Sequence, residues 1–465
     1  MMIKRGVWRY KPKADIDPTR RLVGHKWVFK VKRSGLHQAR LVALGYSHIP
    51  GVDFTANFAP VVNDVTLRLS LMMKKMKGWY SKLVDVESAF LYGELEEEID
   101  MTMPEGLNEF TGKNMEGFCC RLQRGIYGLV QGARIFWKKF SSILTDKLKF
   151  KRSRSDNCLF QRHDEDGEVL FCMYVDDAFC VGDKRAMETT YRQLSEHFAI
   201  KDEGEMGEYV GCTIEEEDNC IFLSQPGLTT KLEEKYGEQL KGLQRYKTAM
   251  GPGQVIMRPS DDDDYLDEEK QTEYRSGVGM LLYLLKHSRP DLSNSVRELT
   301  KAMDRATEGH MKAMKRVVKY VLDTKEWRLQ METNKSDGDV WKIEAYSDSD
   351  YAGDRDTRRS VSGYIIKVNG CVISWRSRSQ KGVTLSSSEA EYVAALEAVM
   401  EMVYIKQILE GMGQKVNIPM KLYIDNVGAI YMVKNQAPGQ RTKHVDVRYC
   451  YVKELVESGQ LEWSS

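Results

Sequence analysis

Proline is scarce, at 11 residues in 465, which excludes collagen-like and proline-rich architectures. Long apolar runs are missing as well. No stretch approaches the ~20 consecutive apolar residues that a membrane helix needs. The start, Met1-Met2-Ile3-Lys4-Arg5, lacks the apolar centre of a signal peptide. Cysteine is sparse: nine residues, an odd number, are too scattered for a disulfide framework. They read as free thiols in a reducing compartment, which makes the cytoplasm the expected location. A Walker-type phosphate loop, a Cys-x-x-Cys pair and internal repeats are all absent.

What is present describes a soluble, folded, multi-domain chain. Hydrophobic residues make up 42% and charged residues 29%, which rules out disorder as the main state. At ~150 residues per domain the length allows about three domains. The 69 basic and 68 acidic residues nearly balance, but their placement is uneven. Residues 1–60 hold twelve Lys or Arg against Asp15, Asp17 and Asp53 alone, whereas acids run together at 261–264. A basic front end suits a polyanionic partner, and a solvated surface explains it equally well.

Periodicity outlines the elements. Lys26 to Lys32 alternates as a strand with one basic face, Ser34-Gly35 turns, and Arg40 to Leu44 returns as a hairpin. Val65, Leu69, Met72, Met73 and Met76 keep helical spacing, as do Phe136, Phe140, Ile143, Leu144 and Leu148. Leu83 to Val86 is a short buried strand. Val169 to Val175 and Ala178 to Gly182 flank Asp176-Asp177, which predicts a hairpin with two carboxylates at its tip. Residues 251–273 make the best linker, with helices expected at 274–286, 291–303 and 310–323. The last ~125 residues read β-β-β-α-β-α, with a hairpin turn at Asn369-Gly370 and a long helix from about Glu389 to Leu409.

Paired carboxylates between apolar strands are costly without a compensating cation. Oxygen-only ligands favour Mg²⁺ over zinc. A plain Asp-Asp turn is the bland alternative. Asp85 is a second acid in apolar surroundings.

Leu83-Val84-Asp85-Val86-Glu87-Ser88-Ala89-Phe90-Leu91-Tyr92-Gly93 and Tyr174-Val175-Asp176-Asp177 resemble two polymerase motifs of copia-type retrotransposon reverse transcriptases. Phe58-Ala59-Pro60-Val61-Val62 and Ile126-Tyr127-Gly128-Leu129-Val130-Gln131 are similar to the same family, as are Ser224-Gln225, Arg289-Pro290-Asp291 and Lys315-Arg316. The C-terminal part resembles that family's ribonuclease H domain. Its matching words are Tyr346 to Asp354, Ser386 to Tyr392, Ile424-Asp425-Asn426 and Thr442 to Arg448. In series, from about residue 7 to the end, these motifs are specific.

The resemblance implies an α/β (α+β) fold: a right-hand polymerase with fingers, palm and thumb, followed by an RNase H-like domain. The expected boundaries are 1–225 for fingers and palm, 226–335 for thumb and connection, and 336–465 for RNase H. It implies RNA-directed DNA synthesis and cleavage of RNA in RNA–DNA hybrids. The implied partners are an RNA template, a DNA primer, the RNA–DNA hybrid and dNTPs, with no membrane. Asp85, Asp176 and Asp177 would hold one pair of Mg²⁺ ions, and Asp348, Glu389, Asp425 and Asp446 another, with Mn²⁺ as a substitute. Arg40 would meet the triphosphate, Phe90 would gate the ribose 2′-hydroxyl, and Gln131 would contact the nucleotide. Phe90 as a core residue and Arg40 as a surface residue stay open.

Two further alternatives stay open. Ser386-x-x-Glu389 is a capping-box pattern, and Glu391 competes for the catalytic place. Glu389 shares a helical face with Tyr392, Val393, Leu396 and Met400, bulky enough to pack on a sheet, and so is expected to point toward Asp348 and Asp425. His444 would orient Asp446 or substrate. Gln38, Leu44, Val130 and Ala133 depart from the family pattern, and the loop from Ser34 to Leu36 is short. Those departures weaken the expected grip on triphosphate or template. They leave room for a decayed or domesticated element that binds nucleic acid without catalysis. Nothing resembles the family's protease or integrase, so the polymerase end of a longer polyprotein is expected.

Overall fold

A computed structural model describes residues 2–464 except 32–34, 36, 113, 176, 203, 205, 206, 334–339, 427 and 429–442; for 202 and 443–449 only the backbone is described. The chain forms two compact units. The first comprises residues 1–63 and 79–206, and the second comprises 64–78 and 207–465.

The first unit is built on a six-stranded antiparallel sheet. Its order is Ile200–Asp202, Tyr80–Val86, Asp177–Gly182, Gly167–Tyr174, Leu159–Asp164 and Lys151–Arg152. Val169 to Met173 are all buried, which is why that strand reads as a continuous apolar run and not an alternating one. Phe136 and Phe140, from the helix Gly132–Ser142, pack with Phe198 beside the sheet, and Phe140 also meets Phe171 on the central strand. The expected helix continues past Ser142 as a wider turn over Ile143–Lys147. The basic hairpin forms from His25–Val31 and His37–Ala43. A smaller sheet joins Trp8–Pro12, Phe118–Leu122 and Asp100–Met101. Inside it the buried Arg121 grips Asp100 through two bonds of 2.6 and 2.9 Å.

The second unit contains the helix Asp64–Lys77, a four-stranded sheet, a helical cluster and a five-stranded sheet. The four-stranded sheet pairs Cys220–Ser224 with Leu329–Glu332. A strand within the bounds expected for fingers and palm thus shares a sheet with the segment after the helices. The helices Glu268–His287, Ser293–Leu299 and Glu308–Asp323 bury Tyr274, Leu281, Val296, Met314 and Val317 together. The first of them begins five residues before the expected end of the linker. Asp267 caps it, accepting a 2.8 Å bond from the Lys270 amide.

The five-stranded sheet has the order Cys371–Ser379, Val361–Val368, Ile343–Asp350, Met420–Tyr423 and Leu461–Ser464. The first three strands are antiparallel and the last two run parallel to Ile343–Asp350 and to each other. The long helix Ser387–Gly411 crosses over between the antiparallel and parallel parts. Asn369 and Gly370 adopt φ of 49° and 81°, the tight turn their dipeptide predicts. The final strand, Leu461–Ser464, has no counterpart in the sequence reading. None of the nine cysteines forms a disulfide, and burial pushes the Cys120, Cys158 and Cys212 thiols up to about 12.

Candidate active sites

In the first unit, Asp85 lies one residue before the end of Tyr80–Val86. Asp177 opens the neighbouring strand and is its direct cross-strand partner. Side chains opposite each other on antiparallel strands leave the sheet on the same face, with Cβ atoms about 5 Å apart. Two carboxylates therefore face one way without an intervening residue. On the other side of Asp85 stands Lys201, which pairs with Glu87 at 3.3 Å. The turn into Asp177 carries strain: Val175 has a φ of 56°, a left-handed conformation that a β-branched residue seldom adopts. Asp176 lies outside the described residues.

The residues expected at the nucleotide converge on one loop. Phe90 is half-buried and meets the Tyr127 ring edge-on, with centroids 4.6 Å apart. Arg40 is exposed, and its guanidinium lies 5.1 Å from the centroid of that same ring. Tyr127 went unassigned in the sequence reading, where it is only one letter of a motif. Gln131 is held by a neighbouring loop. It is 1% exposed and its Nε2 donates to the Asp53 carbonyl at 3.2 Å. Its Oε1 is buried without a hydrogen-bond partner.

In the second unit, carboxylate oxygens of Asp348, Glu391 and Asp425 all lie within 4.8 Å of one another. Asp348 stands on the central strand. Asp425 follows the parallel strand at the corresponding position, two residues beyond the paired Tyr346 and Tyr423. Glu391 reaches them from the first turns of the long helix. The expectation for Glu389 is corrected. Its Oε2 accepts from the Leu385 amide at 2.7 Å, and its own amide donates to Ser386 Oγ at 3.1 Å. Ser386 thus caps the helix through the Glu389 amide, the Glu389 carboxylate is taken by the residue before the cap, and the clustered acid is Glu391.

The bulky face does not decide between the two glutamates, because Tyr392 and Leu396 on the side of Glu389 are buried as well. Ala394, Ala395 and Ala398 are fully buried on the side of Glu391, while Met400 on the side of Glu389 is 44% exposed.

Glu391 Oε1 accepts from the Ser349 amide at 3.1 Å and its hydroxyl at 2.9 Å. Its Oε2 is buried without a hydrogen-bond partner. Burial pushes the Glu391 carboxyl above its ordinary range. Asp348 and Asp425 add to that rise, and the bonds from Ser349 oppose it. An orphaned oxygen among three carboxylates is a donor set that suits a hard divalent cation. The opposed Asp85 and Asp177 offer the same oxygen chemistry. The side chains of Asp446 and His444 lie outside the described residues.

Residues 12–242 match the family described as reverse transcriptase (RNA-dependent DNA polymerase). This segment belongs to the reverse transcriptase family. Among curated proteins, the chain is 33% identical over 449 residues to the retrovirus-related Pol polyprotein from transposon RE1 of Arabidopsis thaliana, covering 95% of this chain and 29% of that protein. It is 33% identical over 473 residues to the corresponding polyprotein from transposon TNT 1-94 of Nicotiana tabacum, covering 99% of this chain and 34% of that protein. The chain thus spans about a third of the length of the curated relatives it matches. A crystal structure of prototype foamy virus protease-reverse transcriptase aligns with 99% of this chain and 51% of its own at 12% identity, with a TM-score of 0.25, too slight to bear on the fold.

Within the reverse transcriptase segment lie Arg40, Asp85, Phe90, Gln131, Asp176 and Asp177. The second acidic cluster lies beyond its end and stands on geometry alone.

Proposed function

We propose that the chain is the polymerase portion of a copia-type retrotransposon polyprotein, carrying RNA-directed DNA synthesis in its first unit and hydrolysis of hybrid RNA in its second. The observation that carries the first activity is the direct pairing of Asp85 with Asp177. Asp85, Asp176 and Asp177 would hold divalent cations, Mg²⁺ or Mn²⁺, at the end of the sheet. When bound, such ions supply Lewis acidity toward the primer hydroxyl and the triphosphate oxygens. The residues of the chain do the positioning. Arg40 binds phosphate oxygens with its planar fork of donors. Phe90 excludes a ribose 2′-hydroxyl by bulk, which favours dNTPs. The strained turn at Val175 fixes where the carboxylates emerge.

In the second unit, Asp348, Glu391 and Asp425 would hold cations in the same manner against a hybrid phosphate. Ser349 locks one oxygen of Glu391 and leaves the other free for a ligand. Primer extension on poly(rA) with oligo(dT), with and without Mg²⁺, tests the first activity, and release of labelled RNA from a hybrid tests the second. Hybrid binding with neither activity would make the chain a non-catalytic nucleic-acid binder.

A further inference from the structure

We propose that Tyr127 is the positioning residue of the nucleotide pocket, holding the phosphate-binding Arg40 and the sugar-facing Phe90 at a set distance from each other. This rests on the nucleotide roles proposed above for those two residues. Arg40 stands on the strand His37–Ala43 and Phe90 in the short turn Ala89–Tyr92, elements far apart in sequence. One half-buried ring meets both. The guanidinium of Arg40 lies 5.1 Å from its centroid, and the Phe90 ring meets it at 4.6 Å with an interplanar angle of 85°.

The backbone under that ring is pinned from both sides. The Ala43 amide donates to the Tyr127 carbonyl at 2.8 Å. Gly128 has a φ of +88°, and a Cβ there would collide with the Ala43 carbonyl oxygen. Two residues before Tyr127, a Cβ on Gly125 would lie 2.9 Å from the Phe90 carbonyl oxygen. The arginine strand and the gate turn are therefore both built onto the loop that carries the ring.

The chemistry follows from this placement. An exposed arginine loses rotamer freedom when it binds phosphate, and an aromatic surface under the guanidinium orders it beforehand. An edge-on aromatic neighbour also limits how far Phe90 can swing from an incoming sugar. Tyr127 thus influences triphosphate affinity and sugar choice together, without touching the reacting atoms.

The test uses the full chain on poly(rA) with oligo(dT) ended in a 3′-deoxy residue, titrated with dTTP and with UTP. An extendable primer then supplies kcat and KM. Tyr127→Leu is expected to weaken dTTP binding by about two- to fivefold, the scale of an exposed cation–π contact. It also narrows the preference for dTTP over UTP and shifts KM more than kcat. Tyr127→Phe retains all three. In an Arg40→Ala background, Tyr127→Leu causes no further loss of dTTP affinity. Where Tyr127→Leu melts early, Tyr127→Met takes its place under the same criteria.

A folded Tyr127→Leu or Tyr127→Met chain with wild-type binding of both nucleotides overturns the proposal. If Arg40→Ala and Phe90→Val respond while the Tyr127 variants do not, Tyr127 alone loses its role. If neither Arg40→Ala nor Phe90→Val changes binding, the nucleotide roles fail and this inference fails with them.

Discussion

Arg68 lies with its guanidinium carbon 4.1 Å from the centroid of the Trp375 ring, stacked inside the second unit. The same guanidinium donates to the carbonyls of Ile373, Lys286 and His287 at 2.8, 2.9 and 3.1 Å. The helix Asp64–Lys77 is thereby tied to the C-terminal end of Glu268–His287 and to the strand Cys371–Ser379. Burial lowers the Arg68 guanidinium to about 10, and the charge of Asp64 opposes that fall. It remains charged at neutral pH.

Arg68→Met is expected to destabilise the second unit by about 2–4 kcal/mol, since it leaves buried carbonyls without donors. Arg68→Lys recovers only part, because a single ammonium cannot reproduce the planar fork. Urea unfolding followed by Trp375 fluorescence reads this. A loss under about 0.5 kcal/mol, the scale of an ordinary surface substitution, would refute the clamp.

The cross-strand pairing of Asp85 and Asp177 leads to a prediction about synthesis. Asp177→Asn keeps the volume and removes the charge. Nucleotide incorporation should fall by well over tenfold, above ~1.4 kcal/mol in the barrier, while primer–template binding persists. Extension at the wild-type rate would remove Asp177 from the site.

Glu391 and Glu389 are expected to separate by function. Glu391→Gln is expected to stop release of RNA from a hybrid while DNA synthesis continues. Glu389→Gln keeps hydrolysis and lowers helix stability by about 1 kcal/mol or less, as a weakened cap does. The reverse ranking in a hybrid-cleavage assay would return Glu389 to the metal-binding role.

Phe90→Val should admit ribonucleotides more readily, because the smaller side chain leaves room for a 2′-hydroxyl. The measurement is the ratio of dTTP to UTP incorporation efficiency. A wild-type ratio would leave Phe90 as packing against Tyr127 and Phe136 alone.

The pair Asp100–Arg121 predicts a pH dependence for the first unit. Burial alone would raise the Asp100 carboxyl, but bonds from Arg121 and Lys11 outweigh it and hold the group below its ordinary range. A depressed carboxylate contributes stability above its unfolded value, about 3.9, and loses it as pH falls through the lower folded value. The stability gap between wild type and Asp100→Asn should therefore be flat near neutrality and shrink only below about pH 4. A gap that already closes between pH 5 and 7 would contradict this assignment.

The sequence by itself determined what local rules govern. Alternation and helical spacing placed the hairpin around Asp177, the helix Asp64–Lys77, the turn at Asn369-Gly370 and the long helix from about Glu389. The motif order identified the reverse transcriptase family, and the apolar flanks of Asp85 and Asp177 marked them as candidate cation ligands. Tertiary structure decided everything that depends on which face meets which neighbour. Glu389 and Glu391 both sit on apolar faces, and periodicity ranks them no further. Only the folded helix and sheet together bring Glu391 to Asp348 and Asp425. Gln131 found its partner in a loop carbonyl at Asp53, 78 residues earlier. Tyr127 acquired its two partners, and Arg68 its three carbonyls, from chain segments that no local pattern connects. Contacts of that kind are set by packing and by hydrogen-bond satisfaction across the fold.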